Sequence, residues 1–213
     1  MQSLRVVILI LLTFPAMAQI EPRIFEFGPK VGLNLSGVSP LDTITYDKSP
    51  AFGLQGGIFT RLNVGKFSLQ PEFIYQAKGT NMKSPTSAKH TYRYFSTPVL
   101  LGYSPIKHLY LEVGYEKSWA LNRMTQIPTL NKPYGPGKAG DESLIVGARI
   151  NLLDMFSLFS INIRYVHGLR NVSELKTSSQ LPMEFTNRSF QLSATYTFSE
   201  QYLWNKKFGV KKK

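Results

Sequence analysis

The chain has 213 residues, with 25 Lys+Arg against 13 Asp+Glu and no Cys. That length suits one domain, and the missing thiols exclude a disulfide scaffold, a cysteine zinc site, a thiol nucleophile and a lipidated N-terminal Cys. Hydrophobic residues make up 43% and charged residues 18% of the chain, too apolar for disorder and less charged than an ordinary soluble domain. The net charge of +12 would suit nucleic acid, but the first twenty residues argue against that partner.

Arg5 precedes an apolar run from Val6 to Phe14, and Ala16-Met17-Ala18 follows with the small-x-small pattern of a signal-peptidase site. The run is shorter than the roughly 20 residues a spanning helix needs. We expect residues 1–18 to be a signal peptide, 19–198 one barrel domain and 199–213 a basic tail. An exported chain meets no nucleic acid.

After the signal no helical period is sustained, and period 2 recurs. Eight runs carry it: Phe25 to Leu35, Phe52 to Arg61, Lys66 to Lys78, Phe95 to Tyr103, Leu109 to Tyr115, Leu144 to Asn151, Phe159 to Tyr165 and Phe190 to Phe198. In the third, Phe67, Leu69, Pro71, Phe73 and Tyr75 share one face, while Ser68, Gln70, Glu72, Gln76 and Lys78 share the other with Ile74. Each run has about the 9–11 residues of a tilted transmembrane strand. Tight turns are expected at 63–66, 104–107 and 153–155. Long connections rich in Pro, Gly, Ser, Thr and Asn are expected near 37–50, 79–91, 122–142 and 170–187. Long and short connections therefore alternate, as the outer loops and periplasmic turns of an even-stranded outer-membrane barrel do.

Alternation does not say which face points outward, and a soluble lipocalin-type barrel has its apolar face inside. Two features favour the apolar face outside. The polar faces are rich in Gly, Ser, Thr, Gln and Asn, with few mid-strand charges, whereas a water-facing wall would carry more Lys and Glu. Aromatics gather near strand ends, at Tyr92, Tyr94, Tyr103, Tyr115, Trp119, Tyr196 and Phe198, as interfacial girdles require. The expected fold is all-β: an eight-stranded antiparallel up-and-down transmembrane β-barrel in the cell outer membrane.

The blocks KVGLNLS (30–36), GLQGGIFTRL (53–62), KFSLQPEFIYQAKG (66–79), STPVLLGY (96–103), LYLEVGY (109–115) and FQLSATYTF (190–198) resemble the PorT-like outer-membrane β-barrel family of Bacteroidetes. The resemblance covers about residues 24–198 and is most specific in the third block. It implies a small OmpX-like barrel, usually without an assigned substrate. The family's namesake serves type IX protein secretion, but no residue here carries that role over. The chain also departs from the pattern: fifteen residues follow Phe198, where such chains often stop.

With the apolar face outward, Lys30, Arg61, Glu72, Arg93, Glu112, Glu116, Arg149 and Arg164 are expected inside as a structural polar network. Eight strands leave an interior just wide enough for side chains to fill, and charges there must pair because an isolated buried charge is costly. A plugged lumen is therefore expected, with a narrow porin as an alternative. The other alternative, an outer-leaflet lipid A-modifying enzyme, needs a Ser and a base. His167 is the one suitably placed candidate, since His108 follows a periplasmic turn and His90 lies in an outer loop. No catalytic, cofactor-binding or metal site is expected, and no cofactor. The expected partners are outer-membrane lipid and an unidentified protein at the outer loops or the basic tail; the barrel itself is expected to be monomeric. In that tail Lys206, Lys207, Lys211, Lys212 and Lys213 stand with Tyr202, Leu203, Trp204 and Phe208. The tail reads as a solvated extension or as an interfacial anchor.

Overall fold

Alternation governs the architecture: one side chain of each pair faces the interior and the next faces out. The computed structural model describes residues 24–40, 48–82, 88–126, 140–152, 158–172 and 185–199. The expected signal peptide and nearly all of the expected tail lie outside the described residues, as does the turn expected at 153–155.

The strands are β1 (Phe25–Pro40), β2 (Lys48–Val64), β3 (Phe67–Met82), β4 (Ala88–Ile106), β5 (Leu109–Gln126), β6 (Gly140–Asn151), β7 (Phe159–Gly168), β8 (Phe185–Tyr196) and the two-residue β9 (Phe198–Ser199). From β1 to β8 each strand pairs antiparallel with its sequence neighbour, and β1 also pairs with β8, so the sheet closes on itself. β9 continues β8 past Thr197 and pairs with Glu26 and Phe27 of β1. The result is an eight-stranded closed antiparallel barrel, as expected. Closure leaves no open edge, the condition for strands to cross lipid.

The faces follow the sequence pattern. Val31, Leu33, Leu54, Ile58, Leu69, Phe73, Leu111, Val113, Val146, Ile163 and Leu192 are all exposed on the outer wall. Glu72, Gln76, Glu112, Arg149, Asn162 and Arg164 are buried inside. A soluble barrel would invert this, so the apolar band faces lipid. Aromatic contacts mark both edges of the band. At the turn end Phe67 and Tyr103 lie 5.3 Å apart and Phe159 and Tyr196 4.9 Å apart; at the other end Tyr165 and Phe190 lie 4.9 Å apart and Phe95 and Trp119 6.2 Å apart.

Three expectations are corrected. First, β1 to β5 run 16 to 19 residues rather than 9–11. Much of the segments expected as loops at 79–91 and 122–142 is paired: Met82 opposes Ala88, and Lys89 opposes Gln126. Polar composition resembled a loop, but backbone groups beyond the membrane can still satisfy one another across a hairpin. Second, the turns shift. Val64 pairs with Phe67 around Gly65 and Lys66, with Gly65 at φ 58° as a two-residue hairpin turn demands. Ile106 pairs with Leu109 around Lys107 and His108, and His108 takes the left-handed φ of 68°. Third, Tyr92 and Tyr94 are not girdle residues. They are buried with Val38, Val172 and Phe185 in an apolar cluster inside the loop end of the barrel.

Candidate functional site: the charged lumen

Among the described residues ten charged side chains are buried in the barrel: Lys30, Arg61, Lys78, Arg149 and Arg164 against Glu26, Glu72, Glu112, Glu116 and Asp141. Five cations meet five carboxylates, so the described lumen is neutral although the chain carries +12. Each group reaches the interior because it occupies an inward position of its strand. The narrow bore then brings strands from opposite walls within side-chain reach.

The network has three tiers. At mid-height Arg164 of β7 donates from both terminal nitrogens to Glu72 of β3, at 3.0 Å each, and from Nη2 to Glu112 Oε2 at 2.9 Å. Lys30 Nζ donates to Glu72 Oε2 at 2.7 Å, and Arg149 Nε to Glu112 Oε1 at 2.9 Å. Toward the turn end Arg61 donates to Glu26 and to Gln70. There Arg149 also donates to Asn151 Oδ1 at 2.8 Å, and its guanidinium lies 3.8 Å from the centroid of the Tyr110 ring. Toward the loop end Lys78 Nζ donates to Glu116 Oε1 at 2.7 Å and lies 3.6 Å from Asp141. Gln76, Ser96 and Ser118 tie into Glu116, and Asn187 Nδ2 donates to Asp141 Oδ2 at 2.9 Å.

Such bidentate, charge-assisted contacts are the strong class of hydrogen bond. They engage most of the network's charged atoms; among the described residues, Arg61 Nη2 and Asp141 Oδ1 are left without a hydrogen bond. Chemically, the arrangement sets fixed, mutually neutralised charge across the bore. Above it sits the apolar cluster of Val38, Tyr92, Tyr94, Val172 and Phe185.

Seven of the eight residues expected inside are there: Lys30, Arg61, Glu72, Glu112, Glu116, Arg149 and Arg164. Arg93 is not; it is exposed on the outer wall. β4 keeps its alternation unbroken, with Tyr92, Tyr94 and Ser96 inward, so the residue between the tyrosines must point out. The irregularity at this level falls on β5, where Leu121 is the extra residue between the pairs Arg93↔Asn122 and Tyr94↔Ala120. Glu26, Lys78 and Asp141 were missed as members of the network. Each shares the inward phase of a residue that was named: Glu26 with Lys30, Lys78 with Glu72, and Asp141 with Arg149. That phase was the available signal.

His167 faces outward, with its ring 6.2 Å from that of Tyr165. Among the described residues no Ser or carboxylate hydrogen-bonds it.

A closed eight-stranded antiparallel barrel with an apolar exterior, aromatic edges and a polar, charged interior defines a transmembrane barrel of the outer-membrane type. The chain belongs to the family described as outer membrane protein beta-barrel domain, whose model matches residues 17–174. It is a protein of the outer membrane. Among solved structures it is similar to OprG from Pseudomonas aeruginosa, with 10% identity over 83% of this chain and 97% of that chain and a TM-score of 0.51. It is similar to Neisserial surface protein A, with 10% identity over 82% of this chain and 97% of that chain and a TM-score of 0.50. Ail, the attachment invasion locus protein of Yersinia pestis, is 16% identical over 81% of this chain and 98% of that chain, with a TM-score of 0.47. At these identities the likeness concerns the fold alone. A comparison with curated proteins gives no match.

Proposed function

We propose that this protein is a non-catalytic, non-conducting outer-membrane barrel that serves as a rigid mount for its outer loops, which bind a partner. The observation that carries this reading is Arg164 clamped between Glu72 and Glu112 across the bore. Paired charges that meet across the bore favour a plug over a pore. The outward setting of His167, with no Ser or carboxylate partner among the described residues, supports the non-catalytic reading over an outer-leaflet enzyme. The segments between the strands on the loop side, 127–139 and 173–184, are long enough to hold a binding surface, and loops on rigid scaffolds are where binding residues concentrate.

The resemblance of residues 66–79 to PorT-like barrels of Bacteroidetes supports a narrower version, in which the partner belongs to a protein-export assembly. That version rests on the resemblance alone. The test is photo-crosslinking in intact cells from positions within 127–139 and 173–184. A discrete protein adduct that disappears when the same loops are shortened to two-residue turns is the expected result. Lipid adducts alone from every loop position would overturn the binding role.

A further inference from the structure

The outer wall carries a charged feature separate from the lumen. Phe95 of β4, Trp119 of β5 and Phe190 of β8 mark the loop-side edge of the lipid-facing band. Two residues further toward the loops on the same face of β4 and β8 stand Arg93 and Arg188. Two residues are about 6–7 Å of strand, the step from the edge of the acyl chains into the headgroups. On β5 the cation comes from below instead. Lys117 precedes Trp119 on the exposed face, and its Nζ lies 5.7 Å from the Trp119 ring centroid, so its stem runs up the wall and lifts the ammonium to the same edge.

Among the described residues none of the three makes an ion pair, although Lys117 stands opposite Glu142 in the β5–β6 register. Among the described residues, Glu142 is the one carboxylate outside the lumen, and it is paired with Arg170 at 2.9 Å. Arg93 and Lys117 are exposed and have no carboxylate partner among the described residues. Arg188 donates from Nη1 to the Gly168 carbonyl at 2.6 Å, which holds its guanidinium at the rim.

We propose that Arg93, Lys117 and Arg188 form a docking belt for the phosphates of outer-leaflet glycolipid. The chemistry fits in three ways. The short-turn end of such a barrel is periplasmic, so this edge lies in the outer leaflet. Guanidinium forks match phosphate geometry, and lysine adds a point charge. Phe95 and Phe190 lie one step below Arg93 and Arg188, and Trp119 lies beside the Lys117 ammonium, which puts the cations next to rings of headgroup depth. The barrel thereby takes a ring of bound, phosphorylated lipid as part of its working form, a partner independent of whatever the loops bind.

The test uses the whole barrel, refolded in a non-ionic detergent and titrated with bis-phosphorylated lipid A, with the same lipid after enzymatic dephosphorylation, and with phosphatidylglycerol. Bound lipid per barrel is read by native mass spectrometry at low and high salt. We expect lipid A to bind at least about tenfold more tightly than its dephosphorylated form, with the preference weakened by salt. The preference should vanish in the triple variant Arg93→Gln/Lys117→Gln/Arg188→Gln and persist in Lys66→Gln/Lys107→Gln at the turn end. A triple variant that binds like the unmodified protein would overturn the proposal. So would equal losses from both variants, or phosphatidylglycerol binding as tightly as lipid A, each of which means unspecific attraction between a basic protein and an anion.

Discussion

Arg164 on β7 reaches across the bore to Glu72 on β3, and each of its terminal nitrogens lies 3.0 Å from one carboxylate oxygen. The two strands sit on opposite sides of the closed sheet. The contact therefore works as a cross-brace between walls that share no backbone hydrogen bond. Removing one partner of a buried ion pair leaves the other uncompensated, which costs about 3–5 kcal/mol. Removing the Glu72 charge would leave Lys30 without its carboxylate and Arg164 with Glu112 alone. We expect Glu72→Gln to destabilise the barrel at least as much as Arg164→Ala, measured by urea unfolding in lipid vesicles. The double variant should cost less than the sum of the two single ones.

The exterior gives a depth-dependent prediction. Val113 lies mid-band and Leu121 beyond the Trp119 edge, and both are exposed. An Arg at the midplane costs about 2–4 kcal/mol and near an interface about 0–1. Val113→Arg should sharply lower folding yield into vesicles, whereas Leu121→Arg should leave it nearly unchanged. Equal yields would contradict the assignment of the lipid-facing band.

Closure depends on a close approach at the β1–β8 seam. A Cβ at Gly28 would collide with the Tyr196 carbonyl oxygen, while one at Gly37 would meet nothing within 4 Å. Gly28→Ala should therefore cost about 1–3 kcal/mol, the range for overpacking, and Gly37→Ala should be near neutral. Comparing the heat-induced gel shift of the two variants checks this.

The wall of the barrel was legible because period 2 writes each residue's face directly into the sequence; Phe67 to Lys78 is the clearest stretch. Strand ends were less legible, because polar stretches such as Thr80-Asn81-Met82 look alike as loop or as an exposed hairpin. Arg93 is misplaced because reading Tyr92 and Tyr94 as outward girdle residues sends the residue between them inside, and their burial reverses that phase. The pairings inside the lumen were not readable at all. Alternation says that Glu72 and Arg164 point inward, but only closure of the sheet puts β3 opposite β7.

The proposed closure of the lumen by paired charge is a claim that ion conductance can decide. The full barrel, reconstituted at single-molecule density in a planar bilayer, should pass no stable current above the bare membrane, and Arg164→Ala should destabilise it without opening a steady pore. Large, long-lived single-channel currents from the unmodified protein would contradict the claim.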